Sequence, residues 1–317
     1  MTDSTNVKPN AKIISDKRIA FKNYWKLNKE LYFWMIPGLV FLIIFKYIPM
    51  FGIVISFQDY NIFKGVSGSE WVGFANFAKL FNSPDFYKVF TNTLIISFMK
   101  IFLLFPLPIL VALVLNEIKN MLFKRTVQTI IYMPHFLSWV IVSGLFVTIL
   151  SSNGMVNKVM EMFGLEPISF MMNSKYFRGV LIFTAGWKEF GWNTIIYLAA
   201  IASVDPMLYE AAKIDGAGRI KQIIHITIPS ITSTIALLFI LKLGHVLEAG
   251  FTQVLVMYNP VVYDVADIIE TYVYRMGISK MEYSFSTAVG LFKSVVGFIL
   301  VISGNMLSKK FFNKSIW

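Results

Sequence analysis

The sequence contains no cysteine, only three histidines and few charged groups: Asp, Glu, Lys and Arg together make up 15% of its 317 positions. Without thiols there can be no disulfides, no Cys-ligated zinc and no thiol nucleophile. His135, His225 and His245 fall in different segments with no ligand spacing between them, so no metal site is expected. The chain also lacks the Gly-x4-Gly-Lys-Ser/Thr loop that cradles a nucleotide phosphate. No internal repeat or low-complexity tract interrupts it.

What is abundant is apolar. Hydrophobic residues reach 56%, with 30 phenylalanines. A soluble domain carries closer to a quarter of charged residues, and in water this much apolar surface would aggregate. In a bilayer it is the solvated face. The composition therefore predicts an all-α integral membrane protein. A span needs roughly 20 apolar residues in helix, and six stretches qualify: Leu31–Phe57, Val89–Leu115, Thr129–Leu150, Gly179–Ala202, Ile231–Met257 and Ser286–Ser308. Pro37, Pro49, Pro106, Pro108 and Pro134 lie within them. Neighbouring helices can satisfy the backbone groups that proline frees.

Residues 1–30 are polar and basic. The apolar run that starts at Leu31 is longer than the roughly 7–15 residues of a signal-peptide core, so it reads as a retained span. Residues 18–30 are expected to form an amphipathic helix at the inner surface, with Ile19, Phe21, Tyr24, Trp25 and Leu27 toward lipid. The net charge of +11 then has a use in orientation rather than in binding nucleic acid, because no exposed basic domain remains. The two tails and the 116–128 and 203–230 loops hold sixteen Lys and Arg, against eight in the other three loops. The first set is expected to be cytoplasmic, with both termini inside. This divides the chain into a cytoplasmic tail (1–30), a membrane domain (31–308) and a short cytoplasmic tail (309–317). The outer segment 58–88, with Trp71, Phe74, Phe77 and Phe81, is long enough to pack on the helix ends or to receive an external partner.

The 203–230 loop is the most informative. Asp205 suits a helix N-cap and Pro206 the first helical position. Two helical turns should follow, broken at Asp215-Gly216-Ala217-Gly218. A second short helix should run from Arg219 to about Thr227 and be closed by Pro229. The result is a compact helix-turn-helix knob at the inner surface, which could equally be a structured loop without a partner.

Over 205–229 this knob resembles the EAA motif of permease subunits of binding-protein-dependent ABC importers. Glu210-Ala211-Ala212 precedes Gly216 by three residues, and nine more lead to Ile226-Thr227-Ile228-Pro229, with Ile228 where the pattern has Leu. The six spans, the outer loop after the first span and the late position of the EAA loop are similar to the sugar-transporting branch, the maltose-type permeases. The resemblance implies a type I importer permease in the bacterial cytoplasmic membrane that moves a carbohydrate, in particular an oligosaccharide, and is not itself an enzyme. It implies no cofactor in this chain, with ATP and Mg on separate ATPase subunits, a second related permease forming a heterodimer, and an extracytoplasmic solute-binding protein. Glu210, Ala211, Ala212, Asp215 and Gly216 would form the ATPase-coupling surface, and Ile226, Ile228 and Pro229 would anchor it to the fifth span. A permease for a non-sugar solute stays open, since the motif does not report substrate. So do a channel, which has no use for the knob, and a lipid enzyme. Asp264, Asp267 and Glu270 recur at helical spacing, but read more simply as a solvated face.

Ionisable residues within a bilayer are costly and by default face a cavity or the bundle interior. Lys46, Lys100, Lys188, Lys242 and Lys293 lie in the expected spans, against only Glu189 and Glu248. Two clusters are candidates for a substrate path: Trp187, Lys188, Glu189, Trp192 and Asn193 in span four, and Lys242, His245 and Glu248, spaced by three, on one side of span five. Aromatic rings would stack on sugar faces and polar groups bond hydroxyls. The alternative is ion pairing between helices. The basic excess suits an acidic sugar such as a uronate-containing oligosaccharide.

Overall fold

A computed structural model describes residues 28–312. The proposed amphipathic segment before residue 28 and the chain after residue 312 lie outside these residues. The chain divides into two compact units, Met1–Val54 and Ile55–Trp317.

In the first unit, α1 (Lys29–Leu42) leads through a wide π turn (Ile43–Tyr47) into Ile48–Met50. Pro49 has no N–H for the carbonyl one turn back, and the widened turn before it absorbs the mismatch. The first span as a whole runs Lys29–Phe57, and no residue of α1 is buried within the chain.

The second unit opens with a two-stranded antiparallel ribbon, β1 (Gln58–Asp59) and β2 (Glu70–Trp71), with Gln58 opposite Trp71. A short α2 (Ala75–Phe81) buries Leu80 completely. The following elements start where side chains cap them. Ser83 accepts from the Phe86 amide at the head of α3 (Pro84–Leu104), which bends at Phe105 into α4 (Pro106–Glu117). Asn120 accepts from the amides of Leu122 and Phe123 to start α5 (Met121–Tyr132). Ser138 caps α6 (Trp139–Leu150) through the Ile141 amide, and α7 (Met155–Met162) continues that path. Asn173 caps the 29-residue α8 (Ser174–Ala202) through Lys175. Each cap satisfies an amide that the first turn leaves free. After α9 (Pro206–Ile214) come α10 (Ile228–Gly244), α11 (Phe251–Met257), α12 (Ile269–Tyr274) and the last span, α13 (Tyr283–Phe312).

Two expected spans differ from their hydropathy. The third was expected over Thr129–Leu150, but Thr129 belongs to α5, and a 3-10 turn (Met133–Phe136) separates it from α6. Pro134 cannot continue the ladder, and Ser138 begins a new helix. The fifth was expected over Ile231–Met257, but it ends at Gly244, and residues 245–250 turn before α11 begins. Gly250, the residue before α11, has φ +99°, a left-handed backbone that favours glycine.

The core between α3, α8, α11 and the segment before α12 buries Ile96, Phe177, Leu181, Val254 and Ile268. A second cluster, near the knob end of the helices, joins Ala112, Tyr197, Ile201 and Ile231. Lys79 pairs with Glu282 at 2.7 Å and the Tyr60 amide donates to Ser284 at 2.8 Å, so the 58–83 segment folds onto the start of α13. At the other end, Arg219 stands 3.9 Å from Glu117. Loops that alternate to one side are thus together in space.

Asp264, Asp267 and Glu270 do not form a solvated face. Asp264 and Glu270 lie on two short helices, Tyr263–Ala266 and Ile269–Tyr274, and Asp267 sits in the break between them. Asp267 is buried and holds Arg275 through both carboxylate oxygens, Glu270 pairs with Lys293 at 2.7 Å, and Asp264 accepts from Ser174. Burial alone would pull the Arg275 guanidinium down, but the Asp267 carboxylate more than reverses this and leaves it above its ordinary value.

Candidate functional site

Asp205 opens the knob by accepting from the Met207 amide at 2.9 Å, with Pro206 in the first turn of α9. Gly216 closes that helix with φ +75°. Its amide bonds the Lys213 carbonyl, and the Ala217 amide reaches back to Ala212 at 2.8 Å. This paired C-terminal arrangement needs a left-handed residue at the position Gly216 holds. Only Tyr209 and Ala212 of α9 turn inward, half-buried. Glu210 and Ala211 are exposed, as are the apolar side chains of Met207, Leu208, Ile214 and Ile220. Such an apolar patch around a charged residue, on a two-turn lever, has the form of a docking knob.

Pro229 does not close the second arm of the knob, as the sequence suggested. Arg219–Gln222 passes into a π turn (Ile223–Thr227) and directly on into α10, one continuous path over Arg219–Gly244. The wide turn again stands two residues before a proline and absorbs its missing N–H. Ile226 and Ile228 are half-buried and Pro229 is exposed in this turn. The second arm of the knob is therefore the helical foot of span five.

Within the membrane, a lysine from an adjacent helix reaches a backbone carbonyl in the break of each of these two spans. Lys188 of α8 is buried and donates to the His135 carbonyl at 2.6 Å in the break of span three. Lys100 of α3 donates to the Ala249 carbonyl at 2.7 Å and to the Gln253 amide oxygen at 2.6 Å in the break of span five. Gln253, itself buried, donates onward to the Leu181 carbonyl and the Thr184 hydroxyl of α8. Both lysines thus supply hydrogen bonds that a broken helix cannot make for itself.

Beside the second break lies a cavity of about 410 Å³ between α3, α8 and α10, with Lys100, Glu189, Asn193, Lys242, His245 and Glu248 in its wall. A larger one, about 860 Å³, opens on the other side of the break, between α10, α12 and α13. His245 and Glu248 touch both cavities and pair with each other at 3.0 Å, while Lys293 stands 3.8 Å from Glu248 and 2.7 Å from Glu270. Neither Glu189, Asn193 nor Lys242 has a hydrogen-bond or ion-pair partner among the described residues. Unpaired polar groups in one small cavity can bind a polar solute.

Residues 104–313 match the family described as the binding-protein-dependent transport system inner membrane component. The chain belongs to this family. It is a transport component, not an enzyme. Over 291 residues, covering 92% of this chain and 91% of the relative, it is 50% identical to the polygalacturonan/rhamnogalacturonan transport system permease protein YteP of Bacillus subtilis (strain 168). It is 47% identical over 300 residues, 94% of each chain, to protein LplB of the same organism. Among solved structures, a chain of a bacterial ABC transporter involved in import of the acidic polysaccharide alginate superposes with TM-score 0.86 at 40% identity, covering 92% of this chain and 99% of that one. Another structure of a bacterial alginate ABC transporter, bound to its alginate pentasaccharide-bound periplasmic protein, gives the same TM-score and identity over 93% and 99%.

In this inner membrane component the candidate path residues separate. Glu189, Asn193, Lys242, His245 and Glu248 share the smaller cavity. Trp187 packs edge-on against Phe146, Lys188 caps the break in span three, and Trp192 stacks on His135 at 4.4 Å. None of these three lines either cavity. Lys242, His245 and Glu248 do not share a helix face, because the helix ends at Gly244. The turn that follows brings them together instead. The basic excess also shrinks, since Lys100, Lys188 and Lys293 are held by carbonyls, an amide or carboxylates, leaving Lys242 as the unpaired cation in the cavity wall. Sequence reasoning missed the Lys100–Gln253 node. Lys100 was visible as a charge within a span, but nothing in the sequence connected it with a glutamine 153 positions away.

Proposed function

We propose that this chain is one permease half of an ATP-driven importer for an acidic, uronate-containing oligosaccharide. The observation that carries the substrate is the joint similarity to a polygalacturonan/rhamnogalacturonan permease and to a chain of an alginate importer, each over more than nine-tenths of this sequence. Galacturonan and alginate share one chemistry, a chain of sugars bearing carboxylates. The cavity supports the same reading. Lys242 offers an unpaired ammonium for a carboxylate, and Glu189 and Asn193 offer partners for hydroxyls.

The knob supports coupling to a separate ATPase that carries ATP and Mg. Glu210, Ala211, Ala212, Asp215 and Gly216 form its docking surface, and Ile226, Ile228 and Pro229 join it to span five. A second, related permease completes the path as a heterodimer, and a solute-binding protein delivers the sugar. The distribution of Lys and Arg supports placing the knob and both termini in the cytoplasm.

The test is transport in proteoliposomes containing the assembled importer. Oligogalacturonides loaded on the binding protein should stimulate ATP hydrolysis and be taken up, and neutral galacto-oligosaccharides should not. Stimulation by the neutral sugars alone would overturn the acidic-substrate reading. Co-purification of the tagged chain without an ATPase or second permease would overturn the importer assembly.

A further inference from the structure

Thr227 lies in the π turn that joins the knob to α10 and is 2% exposed. A helical threonine ordinarily bonds its hydroxyl back to the carbonyl four residues earlier. In this chain Thr93, Thr126, Thr184, Thr194 and Thr287 do so, and so does Thr232, five residues further along the same span. Thr227 makes no such bond. Its hydroxyl instead meets the Tyr209 hydroxyl at 2.9 Å, across 18 residues.

Tyr209 stands one position before Glu210 and is one of only two residues of α9 that turn inward. The other, Ala212, has no side-chain polar group. The Gln222 amide of the foot holds the turn itself, donating to the Ala217 carbonyl at 2.8 Å, and among the described residues the side-chain link to the rest of the bundle is the exposed, 3.9 Å pair of Arg219 with Glu117, of a kind worth little in solvent. The Tyr209–Thr227 bond is thus the polar tie between the short arm of the knob and the foot of span five, at the one turn of that span whose own ladder is widened.

The geometry points to Tyr209 as a positioning residue that fixes α9 to the base of α10 through Thr227, so that displacement of the knob turns span five rather than pivoting about Gly216. This rests on the reading that the knob engages the ATPase, and goes beyond it in naming how the push reaches the membrane. A hydrophobic contact alone would leave α9 free to rock. A hydroxyl pair buried on one side sets its angle.

The test uses the complete importer in proteoliposomes, with oligogalacturonide-loaded binding protein as stimulus. Tyr209→Phe and Thr227→Val each remove one hydroxyl at near-constant shape. Each should lower the ratio of stimulated to unstimulated ATP hydrolysis about five-fold, the weight of one hydrogen bond, while the ATPase subunit still co-purifies. The double variant should be no worse than either single one, and Thr227→Ser, which keeps the hydroxyl, should restore the ratio. Wild-type stimulation in Tyr209→Phe, or losses that add in the double variant, would overturn the assignment. Glu210→Lys separates the two readings. If it uncouples while Tyr209→Phe does not, only the strut fails. If Glu210→Lys keeps both ATPase association and stimulation, the coupling surface itself is wrong.

Discussion

The Lys188 ammonium stands 2.6 Å from the backbone oxygen of His135, inside the break of the third span. A charge in a membrane helix invites a reading as a solute-binding group, yet this one is used to complete the hydrogen bonding of a neighbouring helix.

Replacing it should therefore affect stability before selectivity. Lys188→Met keeps the length of the side chain but leaves a buried carbonyl without a donor, at a cost of about 1–3 kcal/mol. Thermal unfolding of the detergent-purified complex should show the loss, with the preference for acidic over neutral oligosaccharides unchanged. A changed preference at unchanged stability would return Lys188 to the solute path.

Lys242 should behave in the opposite way. It lines the cavity without a hydrogen-bond or ion-pair partner among the described residues. Lys242→Gln should leave the unfolding temperature in place and lower oligogalacturonide uptake roughly tenfold, as expected for one charge-assisted bond. Lys242→Arg should retain most uptake. Equal uptake by the Gln and wild-type proteins would remove this residue from substrate recognition.

Gly216 holds a left-handed backbone at the end of α9. A Cβ there meets no neighbouring atom, so Gly216→Ala should cost only the conformational strain, about 1–2 kcal/mol, and leave partial coupling. Gly216→Pro also removes the amide that bonds Lys213, and its ring cannot adopt positive φ. That variant should reach the membrane in normal amount and fail in uptake. Normal uptake by a well-expressed proline variant would show that the shape of the knob does not matter to coupling.

Asp267 and Arg275 form a two-pronged pair, with the acid side chain 6% exposed and the base 26%. Asp267→Asn leaves the guanidinium without its counter-charge. A fully buried broken pair costs about 3–5 kcal/mol, and the partial exposure of Arg275 should hold this loss below that range. The loss is read as a lower unfolding temperature in the Asn variant, and a protein as stable as wild type would mean that solvent already screens the pair.

The legible parts of the sequence are those governed by local rules. The cap at Asp205 and the break at Gly216 act within a few residues of themselves, so the knob could be drawn nearly to its bounds. Windowed hydropathy found the apolar stretches that fold into five membrane-length helices and one bent pair, Ser174–Ala202 with Pro206–Ile214, but it averaged across residues 245–250 and 133–138, where a proline or a left-handed glycine divides helices among equally apolar neighbours. That averaging placed Lys242, His245 and Glu248 on one helix face, although a turn is what gathers them. It also treated Asp264, Asp267 and Glu270 as one exposed stripe, because spacing cannot report a bend between two short helices.

By itself, then, the sequence determined that this protein lives in a bilayer, which apolar stretches can cross it, and where the helix-turn-helix of residues 205–229 begins and breaks. Each follows from composition or from contacts a few residues long. Only the tertiary structure decided which lysines of the spans bond the carbonyls of broken helices and which one lines the cavity without a partner among the described residues. A lysine stem reaches its partner across the gap between helices, and the carbonyl it finds there is set by packing between segments that lie 53 or 149 residues apart in the chain.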